Sequence, residues 1–203
     1  MRVALLHLSH TPRGSHPRHP LPPLDLGVVA ELLARQGHTV RFGDSAVDGG
    51  PARSVRDLIR LAPHLLVVKP AMHALADLGA TVDRARQAGI PVLAAGPVAT
   101  TMPQALGRLA PNLSGVLVGE PEALLPDLAL AWEGRGEPPD MPGLAREASA
   151  WMADEAPMVS DVDALPFPRH EIFLARRYPF GYPLRGSGGV RVAHMLASRG
   201  CPH

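Results

Sequence analysis

Short apolar runs of strand length alternate with segments of helical periodicity five times before residue 136. Regular alternation of this kind is the pattern of parallel strands joined by crossover helices, because a parallel sheet is stable only when helices cover both of its faces. VALLHLS (residues 3–9) is apolar enough to be buried on both faces. LDLGVVAELLARQG predicts a helix with Leu26, Val29, Leu32 and Leu33 on one face and Gly37 as its stop. HTVRFGD alternates apolar and polar residues, which puts it near a sheet edge. PARSVRDLIRLA predicts a short helix with Pro51 near its start. HLLVVKP is apolar until its end and reads as a central strand. ALADLGATVDRARQAG predicts a helix ending on Gly89, and IPVLAAGP a fourth strand. MPQALGRLAP is a short helix, LSGVLVGEPE a fifth strand, and EALLPDLALAWEGRG the closing helix. The expected fold class is α/β, a Rossmann-like or flavodoxin-like five-stranded parallel sheet in the order 2-1-3-4-5 over residues 1–136.

The remaining length is an appendage. Residues 137–187 are crowded with Pro, Gly and acidic turns and have weak periodicity, so they read as an extended linker that packs along a surface. Residues 188–203 begin with another apolar, strand-like run, GVRVAHML. Twenty basic and nineteen acidic side chains leave a formal net charge of +1, and neither sign forms a long block. That balance argues against nucleic acid or an anionic membrane as the main partner. The sequence has no run of eighteen apolar residues, and MRVALLHLSH turns polar too quickly for a signal peptide, so a cytoplasmic location is expected. A single cysteine rules out an internal disulfide framework and leaves Cys201 as a chemical residue.

In a sheet of this order, ligands bind outside the carboxyl ends of the strands, near the point where the strand order reverses. Four loops occupy that edge, beginning after Ser9, Val68, Ala95 and Val118. Gly96 and Gly119 each fall just past a strand, either as plain turn glycines or to let a ligand approach the backbone. Lys69 must emerge into the ligand edge or be paired. No G-x-G-x-x-G follows the first strand and no G-x-x-x-x-G-K-[ST] occurs, which argues against a nicotinamide dinucleotide or a nucleoside triphosphate. His10, His16 and His19 share one Pro-rich loop, but their spacing matches no rigid ligand pair and solvated histidines are expected. Cys201 follows a Ser-Arg-Gly turn, which suits a thiolate presented to a metal or acting as a nucleophile.

These segments resemble, in order, the N-terminal part of the cobalamin-binding radical S-adenosylmethionine (SAM) enzymes. PPLDLGVVAELLARQGHTVRFGD resembles their PPLGL helix and second strand, and AAGPVATTMP their GGPHAT loop. GVLVGEPEALLPDL resembles their GEGE strand and helix, with Pro121 replacing the usual glycine. VSDVDALPFPRHEIF is similar to their LDDLPFPA linker. ASRGCPH is similar to the start of their SRGCPFxCxYC cluster loop.

The resemblance implies a cobalamin-binding domain (1–136), a linker (137–187) and the first strand and cluster-loop start of a radical SAM barrel (188–203). It implies cobalamin as cofactor, with Ser9, His10, Lys69, Pro70, Gly96, Pro97, Thr100, Gly119 and Glu120 at its site. No D-x-H-x-x-G motif is present, so no protein histidine is expected below cobalt. In the family three cysteines hold a 4Fe–4S cluster whose fourth iron binds SAM, and the activity is methyl transfer or related radical chemistry. Cys201 resembles the first of those ligands. One thiolate cannot hold such a cluster, so the chain is expected to be a fragment, a split product or a truncated frame, without SAM cleavage of its own. Its expected partners are cobalamin and a separate barrel fragment, and GVRVAHML is expected to lack strand neighbours. A stand-alone corrinoid carrier or sensor is the alternative. A phosphorylation receiver is disfavoured, because Ser9-His10 and Lys69-Pro70 stand where it needs acids.

Overall fold

The computed structural model describes residues 1–10, 20–132, 136–146, 157–176, 178, 181–182, 190–191 and 193–196. Among these, one sheet contains β1 (Arg2–Leu8), β2 (Thr39–Asp44), β3 (Leu65–Pro70), β4 (Val92–Ala94), β5 (Gly115–Leu117) and β6 (Leu144–Ala145). The spatial order is β2-β1-β3-β4-β5-β6. The first five strands are parallel, in the 2-1-3-4-5 order expected from the sequence. Strand β2 lies at the edge, as its alternation predicts, and β3 lies inside with Leu65, Leu66, Val67 and Val68 all buried.

The sixth strand is new. Leu144 and Ala145 pair antiparallel with Leu117 and Val116, and Val118 donates to the Gly143 carbonyl at 2.8 Å. A two-residue strand carries no periodicity, so the Pro-rich stretch conceals it. It covers the β5 edge, whose donors and acceptors would otherwise lie open.

The connections carry α1 (Leu24–Arg35), α2 (Pro51–Ile59), α3 (Leu78–Gln87), α4 (Pro97–Thr101), α5 (Pro103–Leu109) and α6 (Pro121–Ala131), with a 3-10 turn at Met72–Asp77 before α3. Leu26, Val29 and Leu33 of α1 and Leu124 and Leu128 of α6 pack with Leu5, Val67 and Leu93 on one face of the sheet. Val55 and Leu58 of α2, Leu78 and Val82 of α3 and Leu106 of α5 pack with Leu6, Val68 and Val116 on the other. Successive side chains of each strand therefore feed separate layers, as the two-residue period of a strand requires.

Helix α1 departs from its predicted face. Leu32 is only half-buried, whereas Gly27, Val28 and Ala30 are buried. The cause is a second layer from the supposed linker. Helix α7 (Glu171–Leu174) brings Phe173 against Gly27, and Arg169 donates to the Gly27 carbonyl at 3.0 Å. Phe173 is fully buried and meets Phe42 and Tyr178 edge-on, with centroids 5.2 and 6.1 Å away. Edge-on pairs of this kind add about 0.5–1.5 kcal/mol to the area they bury.

Beyond α7, β7 (Gly181–Tyr182) pairs antiparallel with β8 (Val190–Arg191). The strand-like run at Val190 therefore has a neighbour within the chain, contrary to the expectation that it would lack one. Gly181 and Tyr182 supply it.

Candidate functional site

The strand order reverses between β1 and β3, and the loops leaving these two strands are tied together. Ser9 is buried and donates its N–H to Ser45 Oγ at 2.8 Å, while the Ser45 hydroxyl donates back to the Ser9 carbonyl. His10 donates its N–H to His73 Nε2 at 3.4 Å. The two rings stand edge to face with centroids 5.6 Å apart, and His10 Nδ1 lies 3.4 Å from Asp77 Oδ2. His73 and Asp77 belong to the 3-10 turn after β3. His10 thus meets two residues of the turn after β3 that loop composition did not single out, His73 through its backbone N–H and Asp77 by proximity. His16 and His19 lie outside the described residues.

Lys69 is the penultimate residue of β3, and Pro70 ends that strand opposite Leu8. Of the two outcomes foreseen for Lys69, the structure has the pair: its ammonium donates to the Asp25 carboxylate in the first turn of α1. Asp25 had no sequence signal beyond its place at a helix start, where a negative charge is favoured.

Gly96 has φ +94°, a region that strains other residues, and a β-carbon there would stand 3.1 Å from Lys69 Cγ. Pro97 opens α4. The Thr100 hydroxyl lies 3.0 Å from the Gly119 carbonyl and 3.1 Å from the Gly96 carbonyl, and it accepts the Gly119 N–H at 3.1 Å. It therefore joins the turns after β4 and β5.

Gly119 has φ +123°, and a β-carbon on it would fall 2.5 Å from the Pro157 carbonyl oxygen. Glu120 donates its N–H to that oxygen at 2.9 Å, and its carboxylate accepts the Val159 N–H at 2.6 Å. The room left by the missing side chain at Gly119 is taken by the chain itself. Segment 157–159 covers the β5 end of the edge; among the described residues the ends of β1, β3 and β4 are the remaining part.

Leu21, Met72 and Met102 lie on the loops associated with those three strands and are 58, 56 and 37 % exposed. The edge therefore combines large apolar side chains, close backbone at Gly96 and the polar groups of His10 and Thr100. Sequence reasoning missed these three residues because an isolated apolar residue in a loop carries no period.

Beside this edge a second polar cluster joins β1, β2 and the segment after α7. Buried Asp44 accepts from His7 Nδ1 at 2.9 Å and from the Tyr178 hydroxyl, while Arg176 donates to Asp48 at 2.8 Å. Among the described residues no group of three or more His, Cys, Asp or Glu is arranged to hold a metal ion. Cys201 lies outside the described residues. Among them no helix is long and apolar enough to cross a membrane.

No protein-family model matches the chain, and no curated protein matches it. Among solved structures it is similar to the radical S-adenosylmethionine methyltransferase TsrM of Kitasatospora setae, determined with its tryptophan substrate and a SAM analogue. The TM-score is 0.53 at 24 % identity, over 70 % of this chain and 28 % of that one. The match thus spans little more than a quarter of the longer protein. The likeness is one of fold: an α/β architecture shared with part of a radical SAM methyltransferase.

Proposed function

We propose that this chain is the cobalamin-binding portion of a radical SAM enzyme, of the methyltransferase type or a related radical chemistry. The observation that carries the reading is the carboxyl edge of the 2-1-3-4-5 sheet, where exposed Leu21, Met72 and Met102 accompany the close backbone at Gly96. The ordered motifs of the sequence and the fold shared with a radical SAM methyltransferase support it.

On this reading the corrin lies over the ends of β1, β3 and β4. Met72 and Met102 pack against the ring, while His10, Gly96, Pro97 and Thr100 meet its amide-bearing rim. When bound, cobalamin would supply a methyl group from cobalt. The chain's own work is to bind and orient the cofactor and to exclude water from the ring face it covers. Ser45 and His73 hold the backbone of the β1 loop, and Thr100 joins the β4 and β5 turns. Cys201, by its resemblance, is a cluster ligand that needs further thiolates.

Titration with hydroxocobalamin, followed in the visible spectrum, tests the proposal. The parent should give a saturable change, and Gly96→Trp, folded by circular dichroism, should lose it because the indole fills the approach to the edge. Equal uptake by Gly96→Trp would move the site elsewhere.

A further inference from the structure

Lys69 leaves β3 on the sheet face that carries α1 and α6, the face shared by Leu65 and Val67. Its aliphatic stem runs beside Gly96, where an added β-carbon would meet Cγ at 3.1 Å and both Cδ and Cε at 3.5 Å. Its ammonium then reaches Asp25 in the first turn of α1. One side chain thus spans from a central strand, past the β4 turn, to a helix start, at the switch point where sheets of this order take ligands. The lysine and aspartate side chains are 17 and 16 % exposed, so the pair is shielded from most solvent.

The two partners are not equally dependent on each other. Asp25 sits at the positive end of the α1 dipole and keeps a favourable seat without the lysine. Lys69 needs an anion wherever it is only partly hydrated.

We propose that the Lys69–Asp25 pair is a displaceable strap across the switch-point crevice, and that an incoming phosphodiester or phosphate takes Lys69 from Asp25. This rests on the corrinoid reading of the edge and names the group that would hold the ligand's nucleotide tail. Asp25 then acts as an internal competitor that sets the affinity for anionic tails.

Three probes separate the strap from the rest of the site. Hydroxocobalamin carries a phosphodiester-linked nucleotide, cobinamide is the corrin without that nucleotide, and adenosine monophosphate supplies a nucleotide phosphate without a corrin. Asp25→Asn should bind hydroxocobalamin and adenosine monophosphate about tenfold more tightly, Lys69→Met should weaken both about tenfold, and cobinamide should be indifferent to either change. Equal effects on hydroxocobalamin and cobinamide, or no effect on either phosphate probe, would overturn the strap. If the parent takes up neither corrinoid, the cobalamin reading fails while the adenosine monophosphate series still decides the strap. If either variant does not fold, the Lys69 ammonium resonance of the parent decides: a shift on adding adenosine monophosphate supports the exchange of partners, and an unmoved resonance contradicts it.

Discussion

The hydroxyl of Tyr178 donates to Oδ2 of Asp44, a fully buried carboxylate at the end of β2. The two residues are 134 positions apart in the chain. Asp44 Oδ1 also accepts the Ala46 N–H at 2.9 Å, and Arg176 donates to the Phe42 carbonyl as well as to Asp48. Together with the Phe173 seat on Gly27, these bonds make residues 168–176 and Tyr178 a docked layer on the sheet. Composition marks that stretch as a linker that packs along a surface, and these bonds are where it packs.

Removing the hydroxyl should show how firmly that layer is held. Tyr178→Phe leaves Asp44 with one fewer charge-assisted bond and should cost about 1.5–3 kcal/mol in urea unfolding. Burial, and then the Asp44 carboxylate, push the Tyr178 hydroxyl far above its ordinary value near 10. The native state therefore keeps this proton where the unfolded chain releases it. Its contribution is whole below pH 10 and is lost as pH rises beyond it. Urea midpoints should fall more steeply on the alkaline side for the parent than for Tyr178→Phe, and equal slopes would refute the assignment.

Gly27 is a glycine inside a helix, where alanine ordinarily gains about 1 kcal/mol. Here a β-carbon would stand 2.9 Å from both Phe173 Cε2 and Pro168 Cβ. Gly27→Ala should therefore destabilise the protein and expose residues 168–176 to limited proteolysis. The same change in an isolated α1 peptide should raise helicity. Stabilisation of the whole protein would mean that the 168–173 layer is not seated on α1.

Thr100 tests the join between the turns after β4 and β5. Thr100→Val keeps the shape and removes the hydroxyl, leaving the Gly119 N–H without its 3.1 Å acceptor, at a cost of about 1–3 kcal/mol. Thr100→Ser should retain most of the stability. Amide exchange at Gly119 should accelerate in the valine variant alone. Unchanged exchange would show that the hydroxyl does not hold that turn.

The segment over the β5 end responds to a single methyl. Gly119→Ala sets a β-carbon against the Pro157 carbonyl and adds strain at φ +123°, so the segment at 157–159 should lift from Glu120. Faster amide exchange at Val159, which donates to the Glu120 carboxylate at 2.6 Å, would record it. Unaltered protection at Val159 would contradict the packing described for this edge.

The parallel sheet was legible because burial on both faces writes a continuous apolar run such as LLVV into the chain, and Gly or Pro closes each element. The edge position of β2 was legible from its alternation. What could not be read has tertiary causes. Strand β6 is two residues long, and Gly27 is covered by a layer whose anchor, Phe173, lies in a segment without period. The site was legible as a set of loops at one edge, because strand order determines which ends converge. Its polar wiring was not. Asp25, His73, Asp77 and Tyr178 find Lys69, His10 and Asp44 only through the folded chain, and segment 157–159 occupies the space at Gly119 that, taken with Gly96, reads in the sequence as part of a binding surface.

The central claim is that cobalamin binds at the open carboxyl edge over β1, β3 and β4. A nitrogen–proton correlation spectrum of the labelled protein with and without hydroxocobalamin, whose cobalt(III) is diamagnetic, tests it residue by residue. Shifts are expected at His10, Met72, Gly96 and Thr100, with His64, Gly89 and Gly136 at the opposite edge unmoved. Shifts confined to that opposite edge, or a spectrum unchanged at saturating cofactor, would contradict it.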